Sequence, residues 1–318
     1  MIWDWVLLVV GMALLIKGAD FFVDGASGIA KRFGIPSLII GLTLVSLGTS
    51  APEISISINA VLVGSSDMSV GNVVGSNICN MFLILGLSAI FTPLIIGKDV
   101  KKYDIPIMFG IFLSLILFSF IITPNRIDWY EGAVLLALFI GYTIFLIFRA
   151  KNSDEEVDEE EKKINILKCI IFVVLGLAAI IFGGDLVVDH ARNIALQLGM
   201  SETLVSLTIV AVGTSLPELV TSVVAAFKKE GDIAVGNVIG SCIFNIILIL
   251  GLAAVVAPIG PANVLTVQPA IIFDVAVMIV GGLAMIVISL FSKKMTRWQG
   301  ILFLATYVAY VVYIIVRN

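Results

Sequence analysis

The chain has 318 residues, of which 60% are hydrophobic and only 13% charged, with a mean hydropathy of +1.14. So little charge excludes an ordinary water-soluble domain and points to an all-α protein embedded in a lipid bilayer. The formal net charge of −4 owes much to one acidic stretch, and no basic, aromatic-laced face suggests nucleic acid.

Apolar stretches of membrane-spanning length recur from end to end and predict ten spans: 3–27, 37–63, 69–94, 104–123, 128–149, 165–189, 203–227, 234–257, 267–291 and 298–316. The first opens on MIWDW and is too long and too acidic at its start for a cleaved signal. Span 2 contains GTSAPE (48–53), and span 3 contains GNVVGSNICN (71–80). After span 5 comes AKNSDEEVDEEEKK (150–163), whose seven acidic residues read as a solvated tether. Spans 7 and 8 then repeat the two motifs as GTSLPE (213–218) and GNVIGSCIFN (236–245).

The basic residues sort by loop. Lys31, Arg32, Lys98, Lys101, Lys102, Arg149, Lys151, Lys162, Lys163, Lys168, Lys228, Lys229, Lys293, Lys294 and Arg297 fall on one side of the spans. Only Arg126, Arg192 and Arg317 fall on the other, and Lys17 lies within a span. The excess puts the first group and the acidic linker in the cytoplasm, with both termini outside, for a multi-pass protein of the cell membrane.

Shifted against itself by 165 residues without gaps, the chain matches at 25 of 50 positions between 41–90 and 206–255. Gly18, Asp20, Val23 and Asp24 also fall on Gly183, Asp185, Val188 and Asp189. This is a duplication, and each half contains five spans. An odd number makes the halves enter the membrane from opposite sides, as two inverted five-helix repeats. The expected organisation is a first repeat (1–149), an acidic cytoplasmic linker (150–164) and a second, inverted repeat (165–318).

Pro52 lacks an N–H, so the carbonyl of Gly48 loses its helical partner. In a membrane such an oxygen is tolerated only inside protein or beside a polar cavity. The freed oxygens lie next to Thr49, Ser50 and Glu53, and Thr214, Ser215, Pro217 and Glu218 repeat the arrangement. Ser76, Asn77 and Asn80, with Ser241 and Asn245, add neutral oxygens. Carboxylates, amides, hydroxyls and backbone carbonyls make a hard-cation shell suited to calcium. An intramembrane carboxylate is itself a functional signal, and here it is doubled.

The paired GTS-PE and GN-x-x-GS motifs, in two halves of five spans, resemble those of the sodium/calcium exchangers of the cation/calcium antiporter superfamily, over essentially the whole chain. The resemblance implies an alternating-access antiporter in which the first and sixth helices slide across a core of the other eight. It implies that Glu53 and Glu218 bind both calcium and sodium, helped by Asn80 and Asn245. Ser50, Ser215, Ser76 and Ser241 would serve mainly sodium, and backbone oxygens of Thr49, Thr214, Ser46 and Ala211 would complete the shells. Several members, including potassium-dependent ones, carry aspartate where this chain has Asn245, which argues against potassium co-transport. The linker leaves no room for the regulatory domain of larger relatives.

Calcium and sodium are then cargo, and no cofactor is expected. The alternative is a calcium/proton antiporter of the same fold, but hydroxyls paired in both halves suit sodium. An intramembrane hydrolase fits poorly, since no His adjoins a Ser or Cys and no H-E-x-x-H occurs. Asp20, Asp24, Asp185 and Asp189 read as structure or pathway lining, with Lys17 pairing Asp20 at i,i+3. His190 reads as a solvated interfacial residue, and Cys79, Cys169 and Cys242 as buried small side chains. Nothing indicates an oligomer, so a monomer is expected.

Overall fold

In lipid every backbone N–H and C=O must be satisfied within its own segment, which a helix does. The computed structural model, describing residues 2–153, 161–200, 205 and 211–317, is accordingly helical apart from two two-stranded ladders. In chain order the helices are α1 (Ile2–Phe33), α2 (Ser37–Thr49), α3 (Ala51–Leu62), α4 (Ser66–Phe91), α5 (Val100–Ile122) and α6 (Trp129–Lys151). They continue as α7 (Ile166–Gln197), α8 (Leu216–Phe227), α9 (Gly231–Ile259), α10 (Pro269–Phe291) and α11 (Arg297–Arg317). Among the described residues, 8 of these are long and apolar enough to cross a membrane singly, and α2 with α3 forms a further span bent by 46°. Of the span expected at 203–227, α8, the turn Ala211–Gly213 and Val205 are described; residues 203, 204 and 206–210 lie outside the described residues, as do 154–160 of the acidic linker.

The ends of α1 and α7 differ from the expected 3–27 and 165–189, because both helices run for 32 residues. At 1.5 Å per residue each is about 48 Å long, against about 30 Å of hydrocarbon. Hydropathy fades at the lipid boundary, but the helix continues through polar residues such as Lys31, Arg32, Asn193 and Gln197.

These two helices pack against each other through glycines. A methyl on Gly18 would meet Gly176 O at 2.8 Å, and one on Gly183 would meet Gly11 O at 2.8 Å. The two contacts exchange under the 165-residue offset, since Gly18 maps to Gly183 and Gly11 to Gly176. A Cβ on Gly176 would lie 2.6 Å from the Phe22 nitrogen, so Gly176→Val must push the helices apart. We expect this variant to lose transport and to lower Tm by several degrees, measured on detergent-purified protein; a wild-type Tm and rate would contradict the packing.

The broken span α2–α3 and the two well-buried helices α4 and α9 form the centre. The apolar window of α4 is 78% buried and that of α9 67%, against 17% for α6 and for α11, which present their apolar residues to lipid. Several helices contain wider π turns, at Gly41–Val45, Cys79–Ile84, Val100–Asp104, Leu117–Ile122 and Asn245–Leu250.

The loops cluster at two ends. At one end β1 (Leu94–Ile95) pairs antiparallel with β4 (Lys294–Met295), Lys31 meets Glu230 at 3.3 Å, and Arg149 meets the buried Asp104 at 2.6 Å. At the other, β2 (Arg126–Ile127) pairs with β3 (Leu265–Thr266), His190 meets Asp4 at 3.1 Å, and Arg317 meets Asp274 at 3.6 Å. Each contact joins residues that the basic-residue sorting puts on the same side. His190, expected to be solvated, is instead half-buried against Asp4.

Candidate cation-binding site

The two proline-containing motifs fold alike. Because Pro52 cannot donate, α2 stops at Thr49 and α3 restarts at Ala51, with Ser50 at the junction (φ −82°, ψ 8°). Ser215 occupies the same junction before α8 (φ −91°, ψ 7°). Glu53 and Glu218 are thereby placed in the first turns of α3 and α8, where helix N-termini favour negative charge. Both glutamates are 1% exposed.

The halves interlock at this level. Ser50 Oγ donates to Glu218 Oε1 at 2.9 Å and lies 3.1 Å from Ser241 Oγ. Thr49 stands beside Glu218, while Ser215 and Thr214 stand beside Glu53, so each carboxylate faces hydroxyls of the opposite half. Two carboxylates buried this close repel each other unless a cation or proton lies between them.

The polar atoms left over are informative. Both oxygens of Glu53, Oε2 of Glu218, Oγ of Ser215 and Oδ1 of Asn80 and Asn245 are buried without a hydrogen-bond partner. Other buried oxygens, such as Tyr142 Oη and Glu131 Oε1, also lack a partner, but here the unpaired oxygens come from matched residues of both halves, and calcium takes about six to eight such oxygens. Asn80 and Asn245 each lie in a π turn, which shifts the helix register locally and is a frequent feature of functional sites.

Ser46, Thr49, Ser76 and Ser241 are also buried, but they are used differently. Ser46 Oγ donates back to Leu42 O at 2.9 Å, and its carbonyl accepts from the Ser50 N–H at 3.0 Å. Ser76 makes no hydrogen bond to either glutamate. Thr214 is half-buried, and of Ala211 the backbone alone is described. Among the described residues no group of three or more His, Cys, Asp or Glu could hold a metal, so a cation here would depend on amides and hydroxyls as well as the two carboxylates. The three cysteines are free and buried, as expected.

Two residues not singled out from the sequence, Asn237 and Asn72, support the site, and Asn77, counted there among the neutral oxygens, is used as a support instead of facing a glutamate. Asn237 accepts from Thr49 Oγ1 at 3.1 Å and donates to Ser222 Oγ at 2.9 Å. Its counterpart Asn72 donates to Ser57 Oγ at 3.1 Å. These four residues match under the 165-residue offset, which was the available signal. Asn77 accepts from Asn245 Nδ2 at 2.9 Å. Gly236 and Gly240 let α9 touch α2 closely, a methyl meeting Leu38 O at 2.6 Å and Leu42 O at 2.8 Å respectively.

Access to the two breaks is unequal: a cavity of about 590 Å³ lined by Asp24, Lys31, Lys228 and Glu230, among others, touches neither Pro52 nor Pro217. A cavity of about 240 Å³ lined by Asp185, Val188, Asp189, Thr214, Pro52 and Pro217, among others, reaches the two breaks from the end of α7 that carries Arg192. The repeat-related positions Val23 and Thr49 are sealed, both 0% exposed. There Lys228 bridges Asp20 at 2.5 Å and Asp24 at 2.7 Å, while the expected Lys17–Asp20 pair is a longer, exposed contact of 3.8 Å.

A model of the sodium/calcium exchanger protein family matches residues 3–148 and 168–316. The chain is 35% identical over 352 aligned positions to the sodium/calcium exchanger MaX1 of Methanosarcina acetivorans, covering 97% of each. It is 37% identical over 300 residues to an uncharacterized membrane protein of Methanocaldococcus jannaschii, covering 94% of this chain and 93% of that one. It also superposes on the solved structure of the sodium-calcium exchanger NCX_Mj soaked with 2.5 mM Na+ and 0.1 mM Ca2+, with a TM-score of 0.83 at 34% identity over 98% of both chains. The chain is a multi-pass membrane protein and belongs to the sodium/calcium exchanger family.

Proposed function

We propose that this protein is a secondary active antiporter that exchanges sodium for calcium by alternating access, through ten spans arranged as two inverted repeats, 1–149 and 165–318. The observation that carries the reading is the pair of buried carboxylates, Glu53 and Glu218, each on a proline-broken helix and each facing the other half. Asn80 and Asn245 add their unpartnered amide oxygens. Ser50, Ser215, Ser76 and Ser241 serve sodium, and the backbone oxygens of Thr49, Thr214, Ser46 and Ala211 complete the shells. The reciprocal Gly18–Gly176 and Gly183–Gly11 contacts support the inverted repeat. The excess of Lys and Arg on the linker's side supports its cytoplasmic placement and extracellular termini. The acidic linker is a tether, and the unit of transport is the monomer.

Exchange, rather than free passage, follows from the charge. An empty site would cross with two uncompensated buried carboxylates, a penalty of several kcal/mol per ion. One calcium or two sodiums neutralise the pair, and a third sodium leaves +1.

The energy balance favours three sodiums. A tenfold inward gradient yields about 1.4 kcal/mol per sodium, and 100 mV adds about 2.3. Expelling calcium against that voltage takes about 4.6 kcal/mol before any gradient is built. Two sodiums supply about 7.4 kcal/mol, enough for about two decades of calcium gradient, and three supply about 11, enough for more than four.

The test is calcium uptake into proteoliposomes with imposed sodium, potassium or pH gradients. A sodium gradient alone should drive uptake. Uptake driven by a pH gradient and indifferent to sodium would make the protein a calcium/proton antiporter instead.

A further inference from the structure

We propose that Asn77 is a positioning residue that fixes which atom of Asn245 faces the ion; this rests on the reading that Asn245 binds the cation. Asn77 is fully buried, and its Nδ2 lies 3.3 Å from the backbone carbonyl of Cys242 and 3.6 Å from Met278 Sδ. Both neighbours can only accept, so the amide nitrogen of Asn77 must face them. Its Oδ1 must then face Asn245, which donates from Nδ2 at 2.9 Å. The polarity is thus relayed from the Cys242 carbonyl through Asn77 to Asn245, whose Oδ1 is turned away and left without a partner. The second half carries Cys242 at the equivalent position, so the device exists once. An aspartate at 245 would need no orienting, because both its branches end in oxygen. It would also meet Asn77 Oδ1 oxygen to oxygen.

The test is a double-mutant cycle on apparent calcium affinity in proteoliposomes. Asn77→Ala should weaken affinity by about tenfold in the native background, the usual size for losing such a support. In an Asn245→Asp background the same change should be neutral or improve affinity. Asn77→Cys, which copies the residue tolerated at 242, should behave like Asn77→Ala and guards against misfolding. An equal loss in both backgrounds would make Asn77 merely structural and overturn the proposal. So would native affinity in Asn77→Ala while Asn245→Ala is impaired. Native affinity in Asn245→Ala would remove the parent reading itself.

A separate observation carries a second inference: Lys228 is a one-sided latch. It ties Asp20 and Asp24 of α1 to the end of α8, on the side where Val23 and Thr49 are sealed. The repeat-related residue is Val63, so the lysine has no counterpart in the other half. Under alternating access the latch favours the state open toward Asp185. Removing it leaves two carboxylates one turn apart on α1, which repel and loosen the sealed side.

The test labels single cysteines at Val23 and Val188 with an impermeant maleimide applied from each face of the membrane. In the native background the cysteine at 188 should react and that at 23 should not. Lys228→Met should speed reaction at 23 by about tenfold, as a population shift of that size requires, and slow it at 188. Val63→Lys should instead slow reaction at 188. Unchanged rates, or a parallel rise at both positions, would overturn the latch; labelling that sodium and calcium never redistribute between the faces would instead refute alternating access.

Discussion

Glu53→Gln and Glu218→Gln are each expected to abolish exchange while leaving a folded, monodisperse protein. A unit charge about 4 Å from a monovalent ion contributes about 4 kcal/mol at an effective dielectric of 20. That corresponds to about three decades of affinity, and a divalent ion loses more. Glutamine keeps the shape and one oxygen, so the Ser50 hydroxyl can still donate to residue 218 at its present 2.9 Å. Folding therefore survives, and Tm should fall little or rise, because a buried like-charge pair is relieved. The check is calcium flux alongside size-exclusion and thermal profiles. A well-folded glutamine variant that moves calcium at the native rate would remove the carboxylate from the site.

Asn245→Asp is expected to change ion selectivity and pH dependence more than folding. In the proposed shell an aspartate at 245 joins Glu53 and Glu218, adding like-charge repulsion that a bound proton relieves. Calcium must then displace that proton, so apparent affinity should be weaker at pH 6 than at pH 8 by about tenfold or more, as competition with one proton requires. The measurement is calcium binding or flux across that range, against the native chain. The same profile in both proteins would place residue 245 outside the ion's shell.

Much of this was legible in the sequence because duplication prints the two proline breaks, their glutamates and the paired asparagines twice. Pro52 with Glu53 and Pro217 with Glu218 violate the membrane's demand for unbroken apolar helix at matched positions, and only a buried site accounts for both. The loop contacts fall within the two groups into which the basic residues sort. Less legible were features that depend on contacts between halves. The π turns at Cys79–Ile84 and Asn245–Leu250 leave no apolar signature, because an inserted residue does not change hydropathy. The Asn77–Asn245 bond joins residues 168 positions apart, and the Lys228–Asp20 bridge joins residues 208 apart. Lys17 was the nearer partner in sequence, but it is exposed and weakly held. Helix ends were misjudged at α1 and α7 for the same reason in reverse: hydropathy reports the lipid boundary, whereas the helix ends where its hydrogen bonding stops.

The most direct test of coupled sodium/calcium exchange is a reversal potential in proteoliposomes with set gradients of both ions. With three sodiums entering per calcium expelled, one net positive charge enters per cycle. The voltage at which calcium flux reverses should then move with both gradients: about 180 mV per decade of sodium and about 60 mV per decade of calcium in the opposite sense. A calcium flux indifferent to a valinomycin-clamped voltage would mean electroneutral exchange, and a reversal that ignores the sodium gradient would contradict sodium coupling altogether.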